Sequence, residues 1–416
     1  MRGVLKKFRS AESTRSRPIV LTSPVFAGEM PQPRFSGLKS KLADGASAVR
    51  RGLIDSWLVL AVVMLLLVGE VMVFNTTYFY AFERFGTPYH FVWKHQIAIA
   101  LGGLGLIVAA SLSSTVYRRL AYPALVLAVL GLIVVFLPGV AHGKVQRWIH
   151  LGPLNFQPSE LAKGAVVLYL ARSLAKKAEQ MTSFVDGLLP HLLVVGTVML
   201  LIAIEPDLGG AVFVGMTLFA LLFVAGAKVR HLAMMAACGL VLLVCGVLSA
   251  SYRSDRFESF FRSSENRQGK GYQLNQSLLA FGAGGVNGVG LGESRQKMFY
   301  LPEAHTDFVF AVVGEETGLW GTGGLIALFT ILGVRGMRVA IRHPQPFGRL
   351  LAFGCTFLLV CQAGLNMAVV LGILPTKGIP LPFVSYGGSS LVMALVYTGV
   401  LLSLSREIRA ERDAHA

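Results

Sequence analysis

Ten apolar runs, each near the roughly 20 residues a helix needs to cross a hydrocarbon core, constrain this chain more than any other feature. They fall at roughly 57–75, 91–111, 119–138, 159–175, 188–204, 209–226, 232–251, 308–333, 349–373 and 388–405. Only 14% of the residues are charged, against about 25% in soluble domains, and the mean hydropathy is +0.62. The expected fold is therefore an all-α integral membrane protein of about ten spans, because lipid forces every backbone polar group to be paired within its own segment. The fifth and sixth runs are separated only by Glu205-Pro206-Asp207.

Charge sets the expected orientation. Residues 1–56 hold eleven Lys/Arg against four acidic residues, without apolar periodicity, and read as a disordered cytoplasmic tail. No short apolar core with a small-residue cleavage site lies near Met1, so no cleaved signal peptide is expected. Ten spans return the C-terminus to the same side, where 407–416 forms a second tail. With that side cytoplasmic, the inward segments hold 25 of the 38 Lys/Arg, which satisfies the positive-inside rule. The net charge of +16 mostly reflects this bias, so nucleic-acid binding is excluded as its cause. The membrane domain thus covers 57–406, with an extracytoplasmic loop at 252–306 between spans seven and eight. Leu274, Leu278 and Phe281 within that loop share one helical face and suggest a short interfacial helix. The cysteines Cys238, Cys245, Cys355 and Cys361 all lie in apolar runs, show no metal-binding spacing, and read as small buried hydrophobes.

The polar residues of interest gather on the outer side. Six of the eleven residues from Gly282 to Gly292 are glycine, which permits close backbone approach, though no strand precedes them as a nucleotide loop would require. Asp307 follows Thr306, a natural N-cap for the eighth span, and sits at the mouth of a membrane helix. It reads either as a catalytic base or as a helix-starting carboxylate favoured by the dipole. His305 is a neighbouring hydrogen-bond partner or an interfacial residue. Glu315 and Glu316 lie about 12 Å further along the helix, where a carboxylate must be paired or serve the substrate.

Gln157-Pro158-Ser159-Glu160-Leu161-Ala162-Lys163 opens the fourth span. A helix N-terminus with Lys163, helped by Arg147 beside Trp148, suits a pyrophosphate, while a Glu160–Lys163 pair on one face is the plainer alternative. Glu205 and Asp207 form either a divalent-cation site (Mg or Mn) or a capped turn. The stretch from Pro375 to Ser390, carrying Lys377 and Ser385, is too broken for one helix and suits backbone lining a substrate cavity.

These blocks together resemble the SEDS family of bacterial cell-wall proteins, division branch, FtsW. The matching strings are QRWIHLGPLNFQPSELAK, EPDLGG, GYQLNQSLLAFGAGG with GVGLG, QKMFYLPEAHTDFVFAVVGEETG, and NMAVVLGILPTKGIPLPFVSYGGSS. The resemblance covers about 55–406. It implies ten spans and a peptidoglycan glycosyltransferase that polymerises lipid II outside the cytoplasmic (inner) membrane at the division septum. It also implies a class B penicillin-binding protein as partner, among other division proteins and membrane lipids. The family's essential carboxylate falls on Asp307, and its membrane lysine, glutamates and loop tryptophan fall on Lys163, Glu315, Glu316 and Trp148. The chain departs from the family pattern at VMVFNTT, at FESFFRSSENRQGKGYQ, and at Val286-Asn287 in the glycine loop. No organic cofactor is implied. The rival readings are a lipid II flippase, disfavoured by the absence of a clear internal repeat, and a non-enzymatic divisome scaffold.

Overall fold

The computed structural model describes residues 55–137, 147–151, 154–248 and 271–415. The tail expected at 1–56, save its last two residues, lies outside them, as does the first part of the 252–306 loop.

Ten helices among the described residues coincide with the ten apolar runs. They are α1 (Ser56–Phe85), α2 (His90–Ser111), α3 (Ser114–Val134), α4 (Pro158–Lys176), α5 (Leu189–Ile204), α6 (Leu208–Val224), α7 (Val229–Leu248), α9 (Val309–Arg342), α10 (Pro346–Val370) and α11 (Gly388–His415). Eight helices are long and apolar enough to cross a membrane, and α6 is a shorter apolar one. The α4 helix carries Glu160, Lys163, Arg172 and Lys176 within its length, so its burial comes from its neighbours and not from its own hydropathy. Between α3 and α4 stands an unforeseen two-stranded hairpin, β1 (Ile149–Leu151) and β2 (Leu154–Phe156), with His150 opposite Asn155. The short helix expected in the long loop is α8 (Tyr272–Gly284), with Leu274 buried and Leu278 exposed.

The bundle is organised around α11. In its most apolar stretch 78% of the residues are buried, against 11% for α7, whose side chains face outward. Between helices in lipid, association relies on close packing and interhelical hydrogen bonds. Both are present: Gly399 brings α11 so near α2 that an added Cβ would strike the Leu106 carbonyl. The Tyr397 hydroxyl donates to the Glu160 carbonyl at 3.1 Å. The outward position of α7 corrects one expectation, since Cys238 and Cys245 are exposed there; Cys355 is buried and Cys361 partly so.

Two polar clasps close the end of the bundle where α1 begins and α11 runs out. The Asp55 carboxylate accepts from the Leu58 N–H at 3.2 Å, capping α1, and receives the Arg335 guanidinium of α9 at 2.6 and 2.8 Å. The second is Glu407, which accepts from the Ser114 N–H at 2.7 Å and meets His343 at 3.3 Å. The segment expected as a tail from 407 is thus the continuation of α11. Asp55→Ala removes a cap and strands a mostly buried guanidinium, and should destabilise the protein in detergent by about 3 kcal/mol. Thermal unfolding of purified protein checks this, with Arg335→Lys expected to cost less than Asp55→Ala.

Candidate active site

At the opposite end, four remote segments meet. The first is the start of α4, where Pro158 occupies a first-turn position that needs no N–H donor. The Gln157 N–H donates to the Ser389 hydroxyl, which donates to the Asn155 carbonyl, so the hairpin, α4 and α11 share one junction. One turn in, the Lys163 ammonium donates to Glu160 Oε1 at 2.7 Å and to Gln362 Oε1 at 3.0 Å, and lies 5.4 Å from the Phe213 ring centre. Both charged residues are buried. The Glu160–Lys163 pair left open by the sequence is therefore formed, and its third member comes from α10.

The second segment is the turn between α5 and α6. Asp207 caps α6 by accepting from the Gly210 N–H at 3.0 Å. Arg147 donates to the Glu205 carbonyl at 2.8 Å and to the Pro206 carbonyl, so it braces the turn from the hairpin side. Glu205 is fully buried, and neither carboxylate oxygen has a hydrogen-bond partner among the described residues. Burial, reinforced by the nearby Asp207 charge and opposed by Arg147, pushes its carboxyl up to about 8.

The third is the irregular stretch 371–387 between α10 and α11. Lys377 extends toward the α5–α6 turn, its Cδ 3.5 Å from where a Cβ would stand on Gly209. Burial lowers its ammonium below the ordinary lysine value, and Asp207 partly restores it. Asn366 of α10 holds this stretch by donating to the Ile379 carbonyl at 2.7 Å, and Gln362 donates to the Pro380 carbonyl at 3.0 Å. Ser385 is a brace within the stretch, accepting from the Leu381 N–H at 2.8 Å.

The fourth carries Asp307. Here the structure corrects the expected cap: α9 begins at Val309 with Phe308 at the cap position and no side-chain cap bond. The Thr306 hydroxyl instead donates to Glu303, and the Thr306 and Phe308 N–H groups both reach the Glu303 carbonyl. Residues 301–308 therefore form a compact turn outside the helix, because tertiary bonds compete with helical ones there. Asn366 donates to the Asp307 carbonyl at 2.7 Å, and the Tyr386 N–H donates to the His305 carbonyl at 3.0 Å. His305 packs among Tyr80, Phe91 and Tyr386, and burial lowers its imidazole below the usual range, with Glu303 opposing.

A cavity of about 40 Å³ lies among the first three segments. Gln157, Glu160, Lys163, Asp207, Gln362 and Gly378 are among its lining residues. Asp307 is not one of the lining residues but stands next to one of them, since a Cβ on Gly378 would be 3.1 Å from Asp307 Oδ2. A side chain at 378 would press on that carboxylate, and glycine avoids the contact.

Other candidates lie elsewhere. Trp148 is partly exposed ahead of the hairpin. Glu315 accepts from Ser294 and from the Arg295 and Gln296 N–H groups, while Glu316 pairs with Lys297 at 3.0 Å and accepts from Asn75. These carboxylates fasten the 294–297 segment to α9. The glycine loop is threaded into the same helix. Gly318, at φ 62° and ψ −151°, interrupts α9, and the Val289 and Gly290 N–H groups take the Glu315 and Glu316 carbonyls at 3.0 Å each. A Cβ on Gly288 would collide with the Glu316 carbonyl, which is why glycine stands there. Sequence reasoning missed Gln362 and Asn366. Their signal was two carboxamides one helical turn apart in an otherwise apolar span.

A divalent cation of the Mg or Mn type takes one or two carboxylates and completes its shell with water or phosphate oxygens; the carboxylates at this turn are Asp207, which lines the cavity, and Glu205, whose oxygens have no hydrogen-bond partner among the described residues. No group of three or more His, Cys, Asp or Glu suited to a metal occurs among the described residues, so substrate would have to supply the rest.

The Glu205 environment predicts a pH effect on stability. Its folded pKa is raised, so its contribution is fully present below about pH 4.5 and is lost as pH rises toward about 8. Glu205→Gln should flatten that decline without changing behaviour at acid pH, as melting temperatures measured across pH 4.5 to 9 would show.

The family model for cell cycle proteins that groups FtsW, RodA and SpoVE matches residues 56–410. The probable peptidoglycan glycosyltransferase FtsW of Geobacter sulfurreducens is 43% identical over 358 residues, covering 85% of this chain and 96% of that protein. Among solved structures, a chain of a peptidoglycan synthase complex that coordinates polymerization and crosslinking superposes with a TM-score of 0.70 at 29% identity, over 85% of this chain and 98% of that one. The rod shape determining protein RodA of Thermus thermophilus superposes at 0.63 with 29% identity, over 85% and 97%.

Proposed function

This chain belongs to the FtsW, RodA and SpoVE family of cell cycle proteins, in its FtsW branch, and from that premise we infer that Asp307 is the general base of its glycosyl transfer. The protein is a multi-pass membrane peptidoglycan glycosyltransferase of septal cell-wall synthesis. Its substrate is lipid II, reached on the outer face of the cytoplasmic membrane, with both termini cytoplasmic as the positive-inside bias requires. It works at the division septum beside a class B penicillin-binding protein that cross-links the new strands.

One observation carries this reading. Asp307 stands against Gly378, whose backbone lines the same cavity as Lys163 and Asp207. The inferred base therefore adjoins a backbone segment that lines the same small space as the Lys163 ammonium. Joining two lipid II units exchanges an α-linked phosphate for a β-linked glycan, so a single inverting displacement suffices. In that step the Asp307 carboxylate takes the proton of the acceptor hydroxyl. The acceptor oxygen bonds to the anomeric carbon of the donor, and the bond from that carbon to the phosphate oxygen breaks, releasing the lipid pyrophosphate. Lys163, held by Glu160 and Gln362, faces the departing charge, and Lys377 adds a second cation close to Asp207. A divalent cation at Asp207, with Glu205 behind it, would supply further neutralisation of the pyrophosphate when bound. Arg147 fixes this turn through its backbone carbonyls.

The test uses purified protein with its penicillin-binding partner, the partner's cross-linking blocked, labelled lipid II and Mg or Mn. Wild type should give a ladder of glycan strands. Asp307→Ala should lower turnover by about 10²–10⁴-fold with the melting temperature unchanged, since general-base catalysis contributes that much. Lys163→Met should also lose activity but should destabilise, because it leaves the buried Glu160 unpaired; adding Glu160→Gln should restore stability and not turnover. A ladder from Asp307→Ala equal to that of wild type would remove Asp307 from the chemistry.

A further inference from the structure

The cavity and its border leave one charged cluster unused. Lys297 and Glu316 have side chains 2% and 0% exposed, and the ammonium and carboxylate stand 3.0 Å apart. The Lys297 ammonium also donates to Asn75 Oδ1 at 2.6 Å and to the Gly292 carbonyl, which uses all three of its protons. Asn75 belongs to α1, Glu316 to α9, and Lys297 to the segment that descends toward Asp307. The Asn75 amide completes the triangle by donating to Glu316. Asn75 also falls within VMVFNTT, one of the places where this chain departs from the family pattern.

The path from this cluster to Asp307 has little slack. Lys297 lies in the single turn Gln296–Tyr300, closed by the Leu301 N–H to the Gln296 carbonyl at 2.9 Å. Leu301 is buried, and the next turn is closed on the Glu303 carbonyl by Thr306 and Phe308. Upstream, Ser294, Arg295 and Gln296 are fastened to Glu315. The Asp307-bearing turn is thus suspended between two supports, with α10 and the 371–387 stretch on one side and the α1–α9 seam on the other.

We propose that Lys297, clamped by Glu316 and Asn75, is a positioning residue that sets where the Asp307 carboxylate stands against the cavity. This rests on the reading of Asp307 as the base. The Lys297 ammonium touches neither the cavity lining nor Asp307, so its removal acts through the turn and not through substrate contact. A displacement of about 1 Å at a reacting group can cost on the order of 10²-fold in rate, so a buried clamp ten residues upstream is enough to matter.

Two measurements on the complex of the full chain with its penicillin-binding partner test this. In the first, Lys297→Met should lower kcat for glycan formation by about tenfold or more while KM for lipid II stays within about twofold. Lys297→Arg should recover most of the rate, and the swap Lys297→Glu with Glu316→Lys part of it. In the second, backbone hydrogen exchange should quicken in residues 298–307 of Lys297→Met and remain unchanged in α10. Should Lys297→Met not purify as a folded complex, Asn75→Ala removes one acceptor and should show both effects more weakly. Turnover within about twofold of wild type, or a raised KM with kcat intact, would overturn the proposal while leaving Asp307 as base. Unchanged exchange in 298–307 would overturn it too. Absence of glycan from wild type would defeat the proposed lipid II reaction, and the exchange measurement would still decide whether the clamp holds the turn.

Discussion

Backbone that leaves the helix at membrane depth must find its hydrogen bonds inside the protein, and the half of this molecule that carries Asp307 is built to meet that demand. The interruption of α9 at Gly318 frees the carbonyls of Glu315 and Glu316, and the glycine loop supplies Val289 and Gly290 as donors. The irregular stretch 371–387 is met by the carboxamides of Gln362 and Asn366. The same Asn366 reaches the Asp307 carbonyl. Satisfying displaced backbone and placing the site are thus one set of bonds. A peptidoglycan glycosyltransferase embedded in a membrane needs such polar, irregular structure next to lipid, and paired helices alone would not provide it.

Charge follows the same logic. Lys163 is buried with Glu160, and Lys297 is buried with Glu316, but the two pairs differ in setting. The first lines a cavity and is completed by Gln362, so its cation is held in place beside open space. The second is enclosed, with every proton of its ammonium used. Glu205 is the exception, a buried carboxyl with no hydrogen-bond partner among the described residues and a pKa raised to about 8. It costs stability when ionised, and strongly perturbed groups of this kind concentrate at functional sites.

Much of this was legible beforehand. The ten runs became ten helices, eight of them long and apolar enough to cross a membrane, because length and apolarity leave such a segment no other conformation. The motifs that gather around Asp307 were visible as polar clusters at one set of ends of those runs. Local rules failed where tertiary bonds outcompeted them. Thr306 reads as a helix cap, yet its hydroxyl serves Glu303, because Asn366 and Tyr386 hold the turn away from α9. Cys238 and Cys245 read as buried, yet α7 turns them outward, since apolarity does not distinguish a lipid-facing residue from one packed against protein.

By itself the sequence determined the helices, their membrane character and the family, since these depend on hydropathy over some twenty residues and on motifs read in order. It also placed an acid, two lysines and a broken loop on one side. Only the tertiary structure decided which charges are partners: Lys163 with Gln362, Lys297 with Asn75, Arg147 with the carbonyls of Glu205 and Pro206. The partners of each pair lie between 58 and 222 residues apart in the chain. No periodicity or local propensity carries information over such a separation, and the pairing exists only once helices remote in sequence have packed side by side.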